Sequence, residues 1–210
     1  MLLVSQNKVF CENRKHERKN TGMWYVVQTP VGRETEAAEK LNRIYSDKAK
    51  KPCFVLSKER TWRMGGIYHV DVEPMFPGYI FADVEDAVLL EQRARLLSGI
   101  CTLTGPASQA HPAGTALALE ETEAQFLKQL LRGDPQNTVR RFLVRANDAG
   151  EIEWAEGVLG QMLPQIVRKR LRKRVVTLSV ELLGEKRQIE LAIRMEGDHA
   201  EYGGKKRAVD

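Results

Sequence analysis

Apolar and polar positions follow two different rhythms along this chain. Trp24-Tyr25-Val26-Val27-Gln28 is a continuous aromatic and β-branched run, the composition of a strand buried on at least one face. Pro30 and Gly32 break it. Ala37, Ala38, Leu41, Ile44 and Tyr45 then recur at helical spacing, which predicts a helix over 34–45. Glu34 and Glu36 fall in its first turn, where carboxylates complement the helix dipole. Residues 53–56 predict a short strand. The polar stretch 57–74, with Gly65-Gly66 at its centre, predicts a hairpin with a mobile tip. A strand over 79–81 is entered through Pro77-Gly78, and Asp83 reads as the N-cap of a helix over 84–97. A loop with Gly105, Pro106, Pro112 and Gly114 precedes a third helix over 119–131, which Gly133 and Pro135 stop.

Beyond Gly133-Asp134-Pro135-Gln136-Asn137 the period changes from helical to two. Val176, Leu178, Val180 and Leu182 alternate with Thr177, Ser179 and Glu181, and Ile189, Leu191 and Ile193 alternate with Gln188, Glu190 and Ala192. With Gly184-Glu185 as the turn, the pair predicts a hairpin of a small β-barrel. Residues 162–174 could form a basic amphipathic helix, but Pro164 interrupts it, and a basic loop or strand end is favoured. The chain therefore divides into a flexible basic leader at 1–22, an α+β sandwich at 23–132, a linker at 133–137, a small all-β barrel at 138–196 and a disordered tail at 197–210. Met23 opens the structured pattern and reads as an alternative start.

Charge sharpens this division. The 210 residues carry a net charge of +5 and are 42% apolar, which excludes a wholly disordered chain. Residues 23–132 hold 13 basic and 14 acidic groups, whereas 133–210 hold 15 and 12. Arg168, Lys169, Arg170, Arg172, Lys173 and Arg174 place six positive charges in seven positions, a density that points to a polyanionic partner or to a solvated basic loop. No apolar run approaches the ~20 residues of a membrane span, and the short apolar Met1-Leu2-Leu3-Val4 is no secretory signal. Cys11, Cys53 and Cys101 are odd in number and scattered, which fits reduced thiols in the cytoplasm. No Cys or His pair has metal-ligand spacing, so neither a metal nor a cofactor is expected.

Nothing in the chain reads as an enzyme. Gly65-Gly66 and Gly203-Gly204 lack the strand-to-helix setting of a phosphate loop, and no serine sits in a nucleophile elbow. The sharpest local feature is Pro74-Met75-Phe76-Pro77-Gly78-Tyr79-Ile80-Phe81. Its prolines and glycine stiffen the backbone, so Phe76 and Tyr79 are either rigid interface anchors or core rings packed beside Trp24.

The opening W-Y-V-V-Q strand, the helix after it and the F-P-G-Y signature, in this order, resemble the N-terminal (NGN) domain of the NusG family of transcription elongation factors. Residues 138–196 resemble, more loosely, the family's KOW domain, an SH3-like barrel. Gly157-Val158-Leu159-Gly160 stands where the family has a G-P-[FL]-x-G turn, without its proline. With the dense basic cluster, this departure resembles the LoaP branch of operon-specific antiterminators. RfaH-type relatives, whose C-terminal domain can form a helical hairpin, fit the strict alternation less well.

The resemblance implies a non-enzymatic, monomeric factor that docks on the clamp helices of the largest RNA polymerase subunit, contacts DNA in the elongation complex and suppresses pausing. It implies that Trp24, Phe76, Pro77 and Tyr79 form the polymerase-binding surface, with Phe76 and Tyr79 exposed or half-exposed. The hairpin around Arg60, Arg63 and Gly65 would face nucleic acid. The six-residue basic cluster would bind a nascent RNA hairpin. A general NusG-type factor recruiting ribosomal or termination proteins, and a ribosome-associated KOW protein, are the alternatives.

Overall fold

The computed structural model describes residues 23–45, 51–103 and 116–203. The leader at 1–22, the loop glycines and prolines at 105–114 and residues 204–210 lie outside them. In the first half the elements run β1 (Met23–Gln28), α1 (Glu34–Ile44), β2 (Cys53–Phe54), β3 (Ser57–Met64), β4 (Ile67–Pro74), β5 (Tyr79–Val84), α2 (Ala87–Leu96), β6 (Leu117–Ala118) and α3 (Glu121–Leu131). The second half adds β7 (Thr138–Val139), β8 (Phe142–Ala146), β9 (Ile152–Ala155), α4 (Gly157–Gln161), β10 (Ile166–Arg170), β11 (Val175–Leu182), β12 (Glu185–Arg194) and β13 (Ala200–Tyr202).

β1 lies inside a four-stranded sheet of order β2-β5-β1-β6 and pairs antiparallel with β5, Val26 opposite Phe81. Its unbroken apolar run is explained by burial on both faces. Tyr25 and Val27 pack with Ala37 and Leu41 of α1 and Leu90 and Ala94 of α2, while Trp24 and Val26 face the opposite layer. The ladder between β1 and β5 continues to Met23 opposite Val84, which holds Asp83 as a strand residue opposite Trp24. The expected cap at Asp83 therefore moves to Asp86, whose Oδ1 accepts the N–H of Leu89 at 3.0 Å.

The predicted hairpins form. β3 and β4 join through Gly65 and Gly66, both at positive φ, as a two-residue primed turn requires. β11 and β12 join through Leu183 and Gly184, one residue earlier than expected, again both at positive φ. They sit in a five-stranded sheet of order β10-β11-β12-β8-β9. This half is not made of strands alone. α4 replaces the expected turn, and Gly160 is required there because a Cβ would lie 2.4 Å from the carbonyl oxygen of Ala155. In place of a basic helix, residues 163–173 form two 3-10 turns flanking β10.

The two halves share their framework. A third sheet, β13-β4-β3-β7, takes two strands from each half, with β7 parallel to β3 and β13 parallel to β4. The expected disordered tail thus contains a strand at 200–202, because the outer edge of β4 offers it an unpaired ladder. The expected linker is a tight reversal instead. Asp134 accepts the N–H groups of Gln136 and Thr138 at 2.9 and 3.2 Å and Arg140 Nε at 2.7 Å. One apolar cluster runs from Trp24, Phe81 and Leu127 through to Phe142, Leu178 and Leu191.

Beneath this joint lies Glu59 of β3, 2% exposed. Its carboxylate accepts the backbone N–H of Arg141 at 2.8 Å and the Arg140 guanidinium at 3.3 Å, and lies 3.6 Å from Arg141 Nε. Removing one partner of a buried ion cluster leaves the rest uncompensated, so Glu59→Ala is predicted to lower unfolding free energy by about 3–5 kcal/mol. Urea unfolding of the two proteins checks this. A loss under about 1 kcal/mol would contradict it.

Candidate functional site

Two regions collect the residues that the sequence singled out. The first is the turn Phe76-Pro77-Gly78-Tyr79, closed by Tyr79 N–H donating to the Phe76 carbonyl at 3.2 Å. Pro77 occupies its second position and Gly78 its third, with φ +82°, the pattern of a type II turn. A Cβ on Gly78 would stand 3.1 Å from the Thr29 carbonyl, and that same Gly78 donates its N–H to Glu34 Oε1 at 2.7 Å. Glu34, 3% exposed, opens α1, so the first turn of the helix is fastened to the F-P-G-Y turn.

Burial alone would raise the Glu34 carboxyl pKa and is the largest single influence. The backbone N–H groups of Gly78, Glu34 and Gly32 together outweigh it and hold the pKa below the usual carboxylate value.

The four expected polymerase-contacting residues separate by depth. Trp24 is buried, edge-on to Phe54 at 5.0 Å, and its Nε1 has no acceptor among the described residues. Phe76 is 6% exposed and packs 5.7 Å from Phe81. The expectation of an exposed or half-exposed Phe76 is therefore corrected. β12 of the second half faces it across a cavity of about 390 Å³, whose lining Met75, Phe76, Arg187 and Ile189 share. Tyr79 is half-buried, as expected: its hydroxyl accepts from Gln28 Nε2 at 3.2 Å, and the Arg187 guanidinium lies 5.7 Å from its ring centre. Pro77 is exposed. Nothing in the local sequence around Arg187 marked it as a cover for this turn.

The second region is the basic cluster, which the fold divides. Arg174 is half-buried and gives two hydrogen bonds of 2.6 Å to Asp198, tying the β13 segment to the start of β11. Burial is the largest influence on Asp198 and raises its pKa, but Arg174 and the Met195 N–H bring it below the usual value. Lys169 is ion-paired with Glu151. Arg168 is exposed and has no ion-pair partner among the described residues. Arg170, Arg172 and Lys173 face the β3–β4 hairpin across a cleft, whose other wall carries Arg60 and Arg63. Cys53 and Cys101 are free and buried, and burial pushes the Cys53 thiol up to about 12. Among the described residues no helix is long and apolar enough to cross a membrane.

Residues 22–115 match the family model described as NusG, transcription termination factor nusG. The match spans β1 to α2, including the F-P-G-Y turn, and ends before α3 and the second half. No curated protein matches the chain.

Two predictions concern this turn. Gly78→Ala places a side chain at a left-handed φ against Thr29 and should cost about 1–3 kcal/mol in urea unfolding. Glu34 has a folded pKa below its unfolded one, so its contribution is complete above about pH 4.5 and is lost as pH falls through the folded value. Stability measured from neutral to acid pH should fall less steeply in Glu34→Gln than in the parent. Parallel curves would contradict this role.

Proposed function

We propose that this protein is a transcription elongation factor that binds RNA polymerase through residues 23–132 and promotes processive antitermination. Its second half, read as a KOW-type barrel at 138–196, contacts nascent RNA. The observation that carries this reading is the F-P-G-Y turn, seated on the W-Y-V-V-Q strand and fastened by Glu34, within the segment that matches the NusG family. Its surface offers Pro77 and Tyr79 to the clamp helices of the largest subunit, with Phe76 and Trp24 immediately behind.

The arrangement of the halves adds a condition. With β12 facing Phe76 across that cavity, docking of the full apolar surface requires the end of the β11–β12 hairpin to withdraw. The contacts to be given up include Arg187 on the Tyr79 ring, Lys58 Nζ donating to the Glu190 carbonyl at 3.3 Å and Gly184 N–H donating to Glu123 at 3.4 Å. These are polar contacts at the rim, individually worth about 1 kcal/mol or less. RNA contact by the second half is supported by its excess of cations. Arg168, Arg170, Arg172 and Lys173 make no ion pair among the described residues, which leaves them for RNA phosphates and gives salt-sensitive affinity.

The test is capture of core RNA polymerase by the purified chain. Tyr79→Ala should reduce capture by roughly 30-fold, as loss of an interface hot spot does. Arg187→Glu should increase it by loosening the cover. Phe76→Ala is a poorer probe, because truncating a buried ring costs about 3–5 kcal/mol of stability. Absence of capture by both the parent and Arg187→Glu would contradict the polymerase-binding role.

A further inference from the structure

We propose that the cleft between the β3–β4 hairpin and residues 170–175 is a single composite site for one strand of RNA, with phosphate-binding groups from both halves of the chain. This rests on the reading of the second half as an RNA-contacting unit and extends it to the first half.

The cleft measures about 530 Å³, enough for part of one strand. Arg60 and Arg63 stand on the hairpin wall, and Arg170, Arg172 and Lys173 stand on the other. The acidic groups between them are mostly committed. Glu59 is buried on Arg140 and Arg141, and Glu73 lies 3.4 Å from Arg60 and 3.6 Å from Lys58. Glu190 remains on the lining. Arg170, Arg172 and Lys173 have no carboxylate partner among the described residues, and Arg63 donates only to the Gly66 carbonyl, at 3.1 Å. The excess is therefore positive on both walls, which draws a phosphate chain between them rather than along either one.

Two rings make the cleft more than a charged groove. Tyr68 spans the walls: its hydroxyl donates to the Arg172 carbonyl at 3.3 Å, while Arg63 and Arg174 lie 5.4 and 4.9 Å from its ring centre. Trp62 also lines the cleft, from the face of the hairpin opposite Tyr68, stacked on His69 at 4.4 Å with its Nε1–H held by Asp71 at 2.6 Å. A ring locked from one side is a platform that loses little entropy when a base stacks on it. Cations flanking fixed aromatics are the chemistry of single-strand recognition, in which unpaired bases stack and phosphates are neutralised. The Arg174–Asp198 pair places the second wall by fixing the residue that ends the 3-10 turn at 171–173.

The experiment is fluorescence-anisotropy titration of the full chain with a labelled RNA hairpin bearing an unpaired loop, from about 50 to 200 mM salt. A DNA hairpin of the same sequence and a blunt RNA duplex run alongside. R60Q/R63Q and R172Q/K173Q should each weaken hairpin binding and lower the slope of log affinity against log salt by about 1.4, roughly 0.7 per single-strand phosphate contact. R43Q/R95Q, which removes two cations far from the cleft on α1 and α2, should leave the slope unchanged. Melting curves confirm that each variant is folded.

Loss of slope in R172Q/K173Q with none in R60Q/R63Q would overturn the composite site and leave the second half as an RNA binder by itself. Unchanged slopes in both would overturn the RNA reading as well. A slope that falls equally in R43Q/R95Q would reduce the effect to overall charge and overturn the site. Equal affinity for the blunt duplex would overturn single-strand recognition, and equal affinity for the DNA hairpin would overturn the assignment to RNA.

Discussion

A buried carboxylate with two arginines and a backbone N–H around it, Glu59 with Arg140 and Arg141, is the constraint on which this architecture turns. Glu59 sits in β3 and its partners sit just past β7, so the charge can be satisfied only when the two halves meet. Burial of an ion cluster contributes little net stability against an apolar alternative, but it tolerates few arrangements. Here it selects the register in which β7 lies parallel to β3, Phe142 enters the shared core and β12 faces Phe76. The cleft lined by hairpin and basic segment exists in the same register.

One contact between halves thus shapes two surfaces. The face behind the F-P-G-Y turn is covered by it, and the walls of the cationic cleft are brought opposite each other by it. A partner that takes the covered face and a ligand that spans the cleft act on the same joint, so the binding of each carries a free-energy consequence for the other. Rim contacts such as Lys58 with Glu190 and Arg187 with Tyr79 are of the strength that a docking partner can exchange. The apolar continuity through Phe81, Leu127 and Phe142 holds the halves together more strongly than these rim contacts do.

How much of this was legible in the sequence depended on the range of the interactions. β1, the β3–β4 hairpin and the β11–β12 hairpin were readable because each is specified by local periodicity and by its own turn. The F-P-G-Y turn was readable for the same reason, since proline and glycine at adjacent positions dictate its type. The start of α2 was misplaced by three residues because strand pairing to β1, a distant segment, holds Asp83 in β5. Phe76 was expected at the surface, but it packs on Phe81 within an apolar cluster that reaches β12, more than a hundred residues away. The basic cluster looked uniform in sequence, yet Asp198 and Glu151 commit two of its six cations. Asp198 lies within the stretch read as a disordered tail, where nothing local announced a partner for Arg174.

The joint between the halves is tested most directly by nuclear Overhauser contacts in the free, full-length chain. The account predicts cross-peaks from the Phe76 and Tyr79 rings to the side chains of Arg187 and Ile189, with one tumbling time across both halves. Absence of those cross-peaks, with separate tumbling times for residues 23–131 and 138–203, would contradict it.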